Sequence, residues 1–257
     1  MSQDKKIIIE TLHKIEKENN CSIIFASELG SRVWGMESAD SDFDVRFVFK
    51  RRFTEYLKLN KSLDVLSLTE ANRDFVGFDI FKFCGLLNAS NPSAIEWVLS
   101  DIHYLNFPPQ KLRNIIDSYF NPLALFQHYK SMCKQNYISY LKSGSDVTYK
   151  RYLYAMRGLM NSIYVQEYSK IPSIKFSDTL HILEQKNKVP LNVLKKIKEI
   201  ISIKRKGNEK DKIMRLEPFD AYIESKLKEN ELPLPKKNNS LTREINQYIL
   251  EELLPRS

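Results

Sequence analysis

Residues 29–46 read LGSRVWGMESADSDFDVR. Glycine and serine stand at 30 and 31, followed by Arg32, Trp34-Gly35 and Ser38, and the segment closes on Asp42 and Asp44. The apolar run Ile23-Ile24-Phe25-Ala26 precedes it, and a second apolar run over 45–49 follows. The predicted order is a strand, a Gly-Ser turn, a short linker, and a strand that opens on two carboxylates.

Each part has a chemical use. Glycine has no Cβ, so backbone N–H groups in a Gly-Ser turn can approach a phosphate closely, and the serine hydroxyl adds a donor. Residues two apart on a strand share a face, which places Asp42 and Asp44 side by side, with Arg46 on the same face. Two carboxylates so close repel one another unless a cation lies between them. Mg²⁺ takes oxygen ligands and commonly binds one or two carboxylates together with substrate phosphates. The stretch therefore reads as half of a metal-assisted phosphoryl-transfer site. The composition Ser-Ala-Asp-Ser-Asp also suits a plain turn. The Gly-Ser turn and the Asp pair together, between two apolar strands, favour the site.

Gly-Ser followed about ten residues on by Asp-x-Asp resembles the signature of the DNA polymerase beta nucleotidyltransferase superfamily. The fuller form, GSRVWG, then Ser38, then SDFDVRFVF, is similar to one branch of it, the RNA-ligase-associated or YcgL-like predicted nucleotidyltransferases. Further stretches resemble that branch: Gly77-Phe78-Asp79-Ile80-Phe81-Lys82; Ser90-Asn91-Pro92 with Glu96-Trp97; the tyrosine-rich run near 128–140; and Lys150-Arg151-Tyr152-Leu153-Tyr154 with Arg157. The resemblance covers about residues 5–225. It implies an α+β fold, with a palm-like mixed sheet flanked by helices followed by an all-helical C-terminal domain. It also implies transfer of a nucleoside monophosphate from an NTP, with Mg²⁺ (or Mn²⁺) on Asp42 and Asp44 and an RNA end as the favoured acceptor. Two alternatives stay open: a protein or small-molecule acceptor, and an inactive nucleic-acid-binding module.

The superfamily uses a third carboxylate on a neighbouring strand. Asp64, Asp74 and Asp79 are the candidates. Asp64 opens a predicted strand, Asp74 opens the next, and Asp79 sits where an N-cap belongs. Sequence alone does not separate them; Asp74 is favoured and all three are retained. Gly30 and Ser31 are assigned to the nucleotide phosphates, with Arg32 and Arg46 assisting. Lys150, Tyr154 and Arg157 recur at i, i+4 and i+7 on one helix face. The resemblance makes that face a lid over the triphosphate; otherwise it is a basic surface with a packed tyrosine.

The remaining chain is read by periodicity. A helix is expected over 4–18, strands over 22–28, 43–50, 63–68 and 73–78, and a short helix over 31–37 whose N-terminal amides would face the phosphates. A helical turn is expected near 55–59, a helix starting near Asp79, and another opening at Pro92, a residue that suits a first helical position. Pro108-Pro109 is taken as the boundary between a catalytic domain, 1–108, and a helical domain, 109–257, that closes over the nucleotide and serves the acceptor. Candidate helices there span 110–120, 122–142, 146–169, 177–187, 190–206, 216–229 and 240–253, with a linker over 231–239. The tyrosines at 129, 137 and 140 read as core more readily than as a base-stacking platform.

Bulk properties narrow the classes. A net charge of +8 at 257 residues permits polyanion partners. Three scattered cysteines and four histidines without ligand spacing suggest neither a disulfide framework nor a zinc site. The polar N-terminus does not read as a signal peptide, and no apolar run approaches membrane-spanning length. A cytoplasmic protein is the expectation.

Overall fold

The computed structural model describes residues 2–38, 41–144, 147–207, 211–229, 234 and 240–254. Two compact units are present. One comprises the described residues of 1–33, 42–120 and 237–257; the other comprises those of 34–41 and 121–236.

The first unit is built on a five-stranded mixed sheet. Helix α1 (Gln3–Asn19) leads into β1 (Ser22–Leu29) and β2 (Phe43–Lys50). A single turn, α2 (Phe53–Tyr56), precedes β3 (Val65–Glu70) and β4 (Arg73–Asp79). Helices α3 (Ile80–Asn88) and α4 (Pro92–Leu99), the short β5 (His103–Leu105) and α5 (Gln110–Tyr119) follow. The strand order is β3-β4-β2-β1-β5. β2 and β4 run parallel, and the other neighbours are antiparallel.

Strand alternation divides the sheet into two faces. Val45, Phe47 and Phe49 of β2, with Phe75 of β4, form one buried cluster with Ile8, Leu12 and Ile15 of α1. Each of those α1 side chains contributes about 1.5–3 kcal/mol by leaving water. On the other face Phe78 stacks on Trp97 of α4 at 4.6 Å, and Phe25 meets Phe83 of α3 edge-on at 5.7 Å. Asp44, Arg46 and Asp74 belong to this second face by the same alternation. Asp79 caps α3 by accepting from the Phe81 N–H at 3.0 Å, and Asn91 caps α4, which opens on Pro92. The C-terminal helix α11 (Ser240–Leu253) packs within this unit against α3 and α5, and its Glu252 accepts from Lys50 Nζ at 2.9 Å.

The second unit is helical. Its elements are α6 (Pro122–Asn136), a π-helical turn (Tyr137–Lys142), α7 (Tyr149–Tyr168), α8 (Phe176–Gln185), α9 (Leu191–Arg205) and α10 (Glu217–Lys228). Its core gathers around α7 and includes Trp34 and Met36. Tyr152, fully buried, donates to Asp220 at 2.9 Å and so ties α7 to α10. Among the described residues no helix is long and apolar enough to cross a membrane.

Four expectations change. Residues 31–35 form turns and 36–38 have no regular structure, so the short helix over 31–37 is absent. Gly35 adopts φ +71°, outside the helical region, and Val33, Trp34 and Met36 are all buried. The left-handed backbone at Gly35, which glycine adopts without a Cβ penalty, interrupts a helix there. The third strand begins two residues later than read, at Val65. The helix expected over 122–142 changes from α to π at Tyr137. Strand β5, only three residues long, was not foreseen. The linker expected over 231–239 lies, but for residue 234, outside the described residues.

Candidate active site

β1 ends where the Gly-Ser turn begins. In the antiparallel β1–β2 pairing Leu29 stands opposite Asp44, so Gly30 lies beside that carboxylate. Gly30 adopts φ +75°, and a Cβ there would overlap Asp44 Oδ2 and lie 2.9 Å from its Cγ. Glycine is thus required twice, for the left-handed backbone and for the space. Ser31 continues the turn and is half-buried.

A second register brings in the next acid. β2 and β4 are parallel, with Asp44 paired to Asp74. Arg46, on the same face as Asp44, bridges the two: its Nη2 lies 2.9 Å from Asp44 Oδ1 and 3.0 Å from Asp74 Oδ2. Its Nη1 donates to the Asp74 carbonyl at 3.0 Å. Thr69 donates to Asp74 Oδ1 at 3.2 Å. The carboxylate pair thus already recruits a cation, as two adjacent negative charges must. Asp44 is polarised between two tasks: Oδ1 takes the arginine, and Oδ2 faces the glycine turn.

Asp42 lies just ahead of β2 and is exposed. Its carbonyl accepts from Arg32 Nε at 3.3 Å, and the Arg32 guanidinium covers the Phe43 ring at 4.0 Å from the centroid. That bond closes the base of the 32–42 loop. The Arg32 charge also reaches Glu28, whose carboxylate form it favours.

Glu28 and Tyr104 were not read into the site. Glu28 has no exposed surface. It accepts the Asp44 backbone N–H at 2.8 Å and the Tyr104 hydroxyl. Burial, outweighing those bonds, pushes its pKa up to about 7. Ser100 donates to the Glu28 carbonyl at 2.8 Å. The sequence does carry a signal: a carboxylate inside the apolar strand SIIFASEL, directly before the turn, must find buried donors. β5 supplies one of them, and its brevity hides it.

The other candidates lie elsewhere. Asp79 ends β4, pairs with Phe49 rather than Asp44, and accepts from Tyr56 at 2.8 Å. Asp64 precedes β3, its carbonyl accepting from the Asp79 N–H and its carboxylate pairing with Lys82 at 3.0 Å. The register therefore joins Asp74, and neither Asp64 nor Asp79, to Asp44. Lys150, Tyr154 and Arg157 all belong to the second unit. Arg157 is 3% exposed with its guanidinium 3.8 Å over Trp34, and Tyr154 meets the same indole edge-on at 5.8 Å. Lys150 Nζ is 6.0 Å from the Tyr154 ring centroid. Tyr129 and Tyr137 are buried, and Tyr140 is covered by Arg151 at 3.5 Å.

Among the described residues no group of three or more His, Cys, Asp or Glu is arranged as a ready-made metal cage. A hard divalent ion held by one or two carboxylates and substrate phosphates needs no such cage. The Asp44 oxygen facing the turn, with exposed Asp42 two residues before it, fits that donor set.

The chain has known counterparts. It is 30% identical over 256 residues to the Bacillus subtilis (strain 168) uncharacterized protein YcgL, covering 96% of this chain and 95% of that one. A family model matches residues 5–251, a span that includes both units and every candidate residue above. With that match over nearly its whole length, the chain belongs to the RNA repair pathway DNA polymerase beta family.

Proposed function

We propose that this protein is a Mg²⁺-dependent nucleotidyltransferase that moves a nucleoside monophosphate from an NTP to an acceptor hydroxyl, with an RNA end as the favoured acceptor. The observation that carries the reading is the fit of Asp44 Oδ2 against the Gly30 turn, with Asp74 paired alongside. Family membership supports the class of chemistry and the RNA context.

Backbone amides of the Gly30-Ser31 turn and the Ser31 hydroxyl hold the β- and γ-phosphates. Asp42 and Asp44 hold Mg²⁺, for which Mn²⁺ can substitute; when bound, the ion neutralises phosphate charge and helps align the α-phosphorus. Asp74 accepts the proton of the acceptor hydroxyl as its oxygen attacks that phosphorus in line. A new P–O bond forms to the acceptor, and the bond to the bridging oxygen breaks, releasing pyrophosphate. Arg46 fixes the spacing of Asp44 and Asp74 and limits their repulsion. Arg32 steadies the loop from which Asp42 emerges. Lys150, Tyr154 and Arg157 are assigned no step.

The test is incubation of the protein with α-labelled NTPs, Mg²⁺, candidate RNAs and cell extract. Label in RNA with stoichiometric pyrophosphate is expected. Label in protein or in a small molecule would reassign the acceptor, and no label in any species would remove the enzymatic reading.

A further inference from the structure

The loop that joins the Gly-Ser turn to Asp42 has its middle built into the helical core. Gly30 and Ser31 stand before this loop and Asp42 stands directly after it. Residues up to 33 and from 42 belong to the first unit, whereas the described residues of 34–41 belong to the second. Trp34 is 9% exposed and Met36 is 3% exposed, and both pack in the cluster that holds Tyr152, Met156 and Phe176.

Three helices of the second unit hold two consecutive loop residues. From α7, Arg157 covers the Trp34 indole at 3.8 Å. From α8, the N–H of its first residue, Phe176, donates to the Trp34 carbonyl at 3.1 Å. From α9, the last residue, Arg205, donates through Nη2 to the Gly35 carbonyl at 2.8 Å. The returning limb is pinned as well. The Ser38 N–H donates to Ser41 Oγ at 2.8 Å, and the Ser41 N–H donates to the Ser38 carbonyl at 3.1 Å. Asp42 is the next residue, and its carbonyl accepts from Arg32 at 3.3 Å. Ser31 stands three residues before Trp34, a span of at most about 11 Å of chain. Fixing Trp34 and Gly35 therefore restricts both ends of the loop by chain connectivity alone.

We infer that Trp34 and Arg205 are positioning residues for the proposed reaction: they hold the loop so that the Gly30-Ser31 amides and the Asp42 carboxylate are ordered before the nucleotide arrives. Neither residue touches substrate in this account. A turn left loose must be ordered by the nucleotide itself, and that ordering is subtracted from affinity. The helical unit thus serves the nucleotide site through the loop, with no step assigned to Lys150, Tyr154 or Arg157. The inference rests on the nucleotidyltransferase reading for what the loop positions, and on the contacts of Trp34 and Gly35 for how it is held.

The test is Mg²⁺-ATP binding to the full chain by titration calorimetry, with a thermal midpoint for each variant. Arg205 is exposed, so Arg205→Ala should keep the wild-type midpoint while affinity falls about tenfold, the order of one hydrogen bond's net worth. Arg205→Lys keeps a donor and the charge, and should recover part of the loss. Trp34→Phe keeps an aromatic ring in the core and should also weaken binding. Lys195→Ala removes the same charge from an exposed position of α9 and should bind as wild type does. Unchanged affinity in Arg205→Ala would overturn the inference, as would equal weakening in Lys195→Ala, which would reduce the effect to long-range charge. A loss in Arg205→Ala beside wild-type affinity in Trp34→Phe would make the arginine a phosphate ligand in its own right and would also overturn it. Wild-type protein that binds no Mg²⁺-ATP would sink the nucleotidyltransferase reading together with the inference, whereas tight wild-type binding with indifferent variants sinks the inference alone.

Discussion

Asp44 Oδ2 occupies the space that a side chain on residue 30 would need, so Gly30 and Asp44 form one unit. The Gly-Ser turn and the carboxylate strand can approach only because residue 30 has no Cβ. Gly30→Ala should displace Asp44 and strain a backbone at φ +75°. A cost of about 1–3 kcal/mol in stability follows from the strained backbone. Chemical denaturation should show that loss, and Mg²⁺-dependent ATP binding should fall much further than stability does.

Asp44 and Asp74 share Arg46 but are proposed for different roles. Asp44→Asn should abolish Mg²⁺-dependent nucleotide binding while leaving a folded protein, because the amide oxygen can still accept from Arg46. Asp74→Asn should leave nucleotide binding within a few fold of wild type and cut transfer by about 10²–10⁴, the range for a lost general base. Equal loss of nucleotide binding in both variants would merge the two roles.

Glu28 gives a pH signature. Its carboxyl has a pKa near 7 when folded and an ordinary value of 4.5 when unfolded, because burial disfavours the charge. The folded state therefore holds the proton more tightly. Its contribution is fully present below pH 4.5 and is lost as pH rises through about 7. The total is on the order of 3 kcal/mol. Glu28→Gln keeps an acceptor for the Asp44 N–H and cannot ionise. Denaturation of both proteins at pH 5 and pH 8 should show wild type losing stability relative to the variant as pH rises. A parallel response would show that Glu28 does not titrate in this window.

Arg157 anchors Trp34 in the second unit, at 3.8 Å from the ring. A cation–π contact this desolvated is worth about 2 kcal/mol. Arg157→Ala should destabilise the protein by at least that much. The chain holds only two tryptophans, so in a Trp97→Phe background the emission of Trp34 should shift red when Arg157 is removed. An unchanged spectrum would mean the indole is held without the arginine.

Much of the fold is legible because it is local. The alternation of Val45, Phe47 and Phe49 fixes β2, and Ile8, Leu12 and Ile15 at helical spacing fix α1. Asp79 and Asn91-Pro92 mark two helix starts by capping chemistry alone. What is not legible depends on pairing between distant segments. Nothing in the sequence near Asp64, Asp74 or Asp79 tells which strand residue will stand beside Asp44; the parallel β2–β4 register decides it. Glu28 finds its tyrosine 76 residues away on a three-residue strand too short to show a period. The loop after Ser31 reads as a helix because its residues tolerate one, yet Trp34 is claimed by Arg157, and the Trp34 carbonyl by the Phe176 N–H at 3.1 Å. Lys150, Tyr154 and Arg157 do recur along one helix, and what their side chains turn toward is a tertiary fact.

The most direct measurement is anomalous diffraction from crystals of the protein grown with Mn²⁺ and a non-hydrolysable ATP analogue. The account predicts a manganese peak coordinated by Asp44 Oδ2, with the analogue's β- and γ-phosphates against the amides of Gly30 and Ser31. A peak away from Asp44, or phosphates seated anywhere other than that turn, would contradict it.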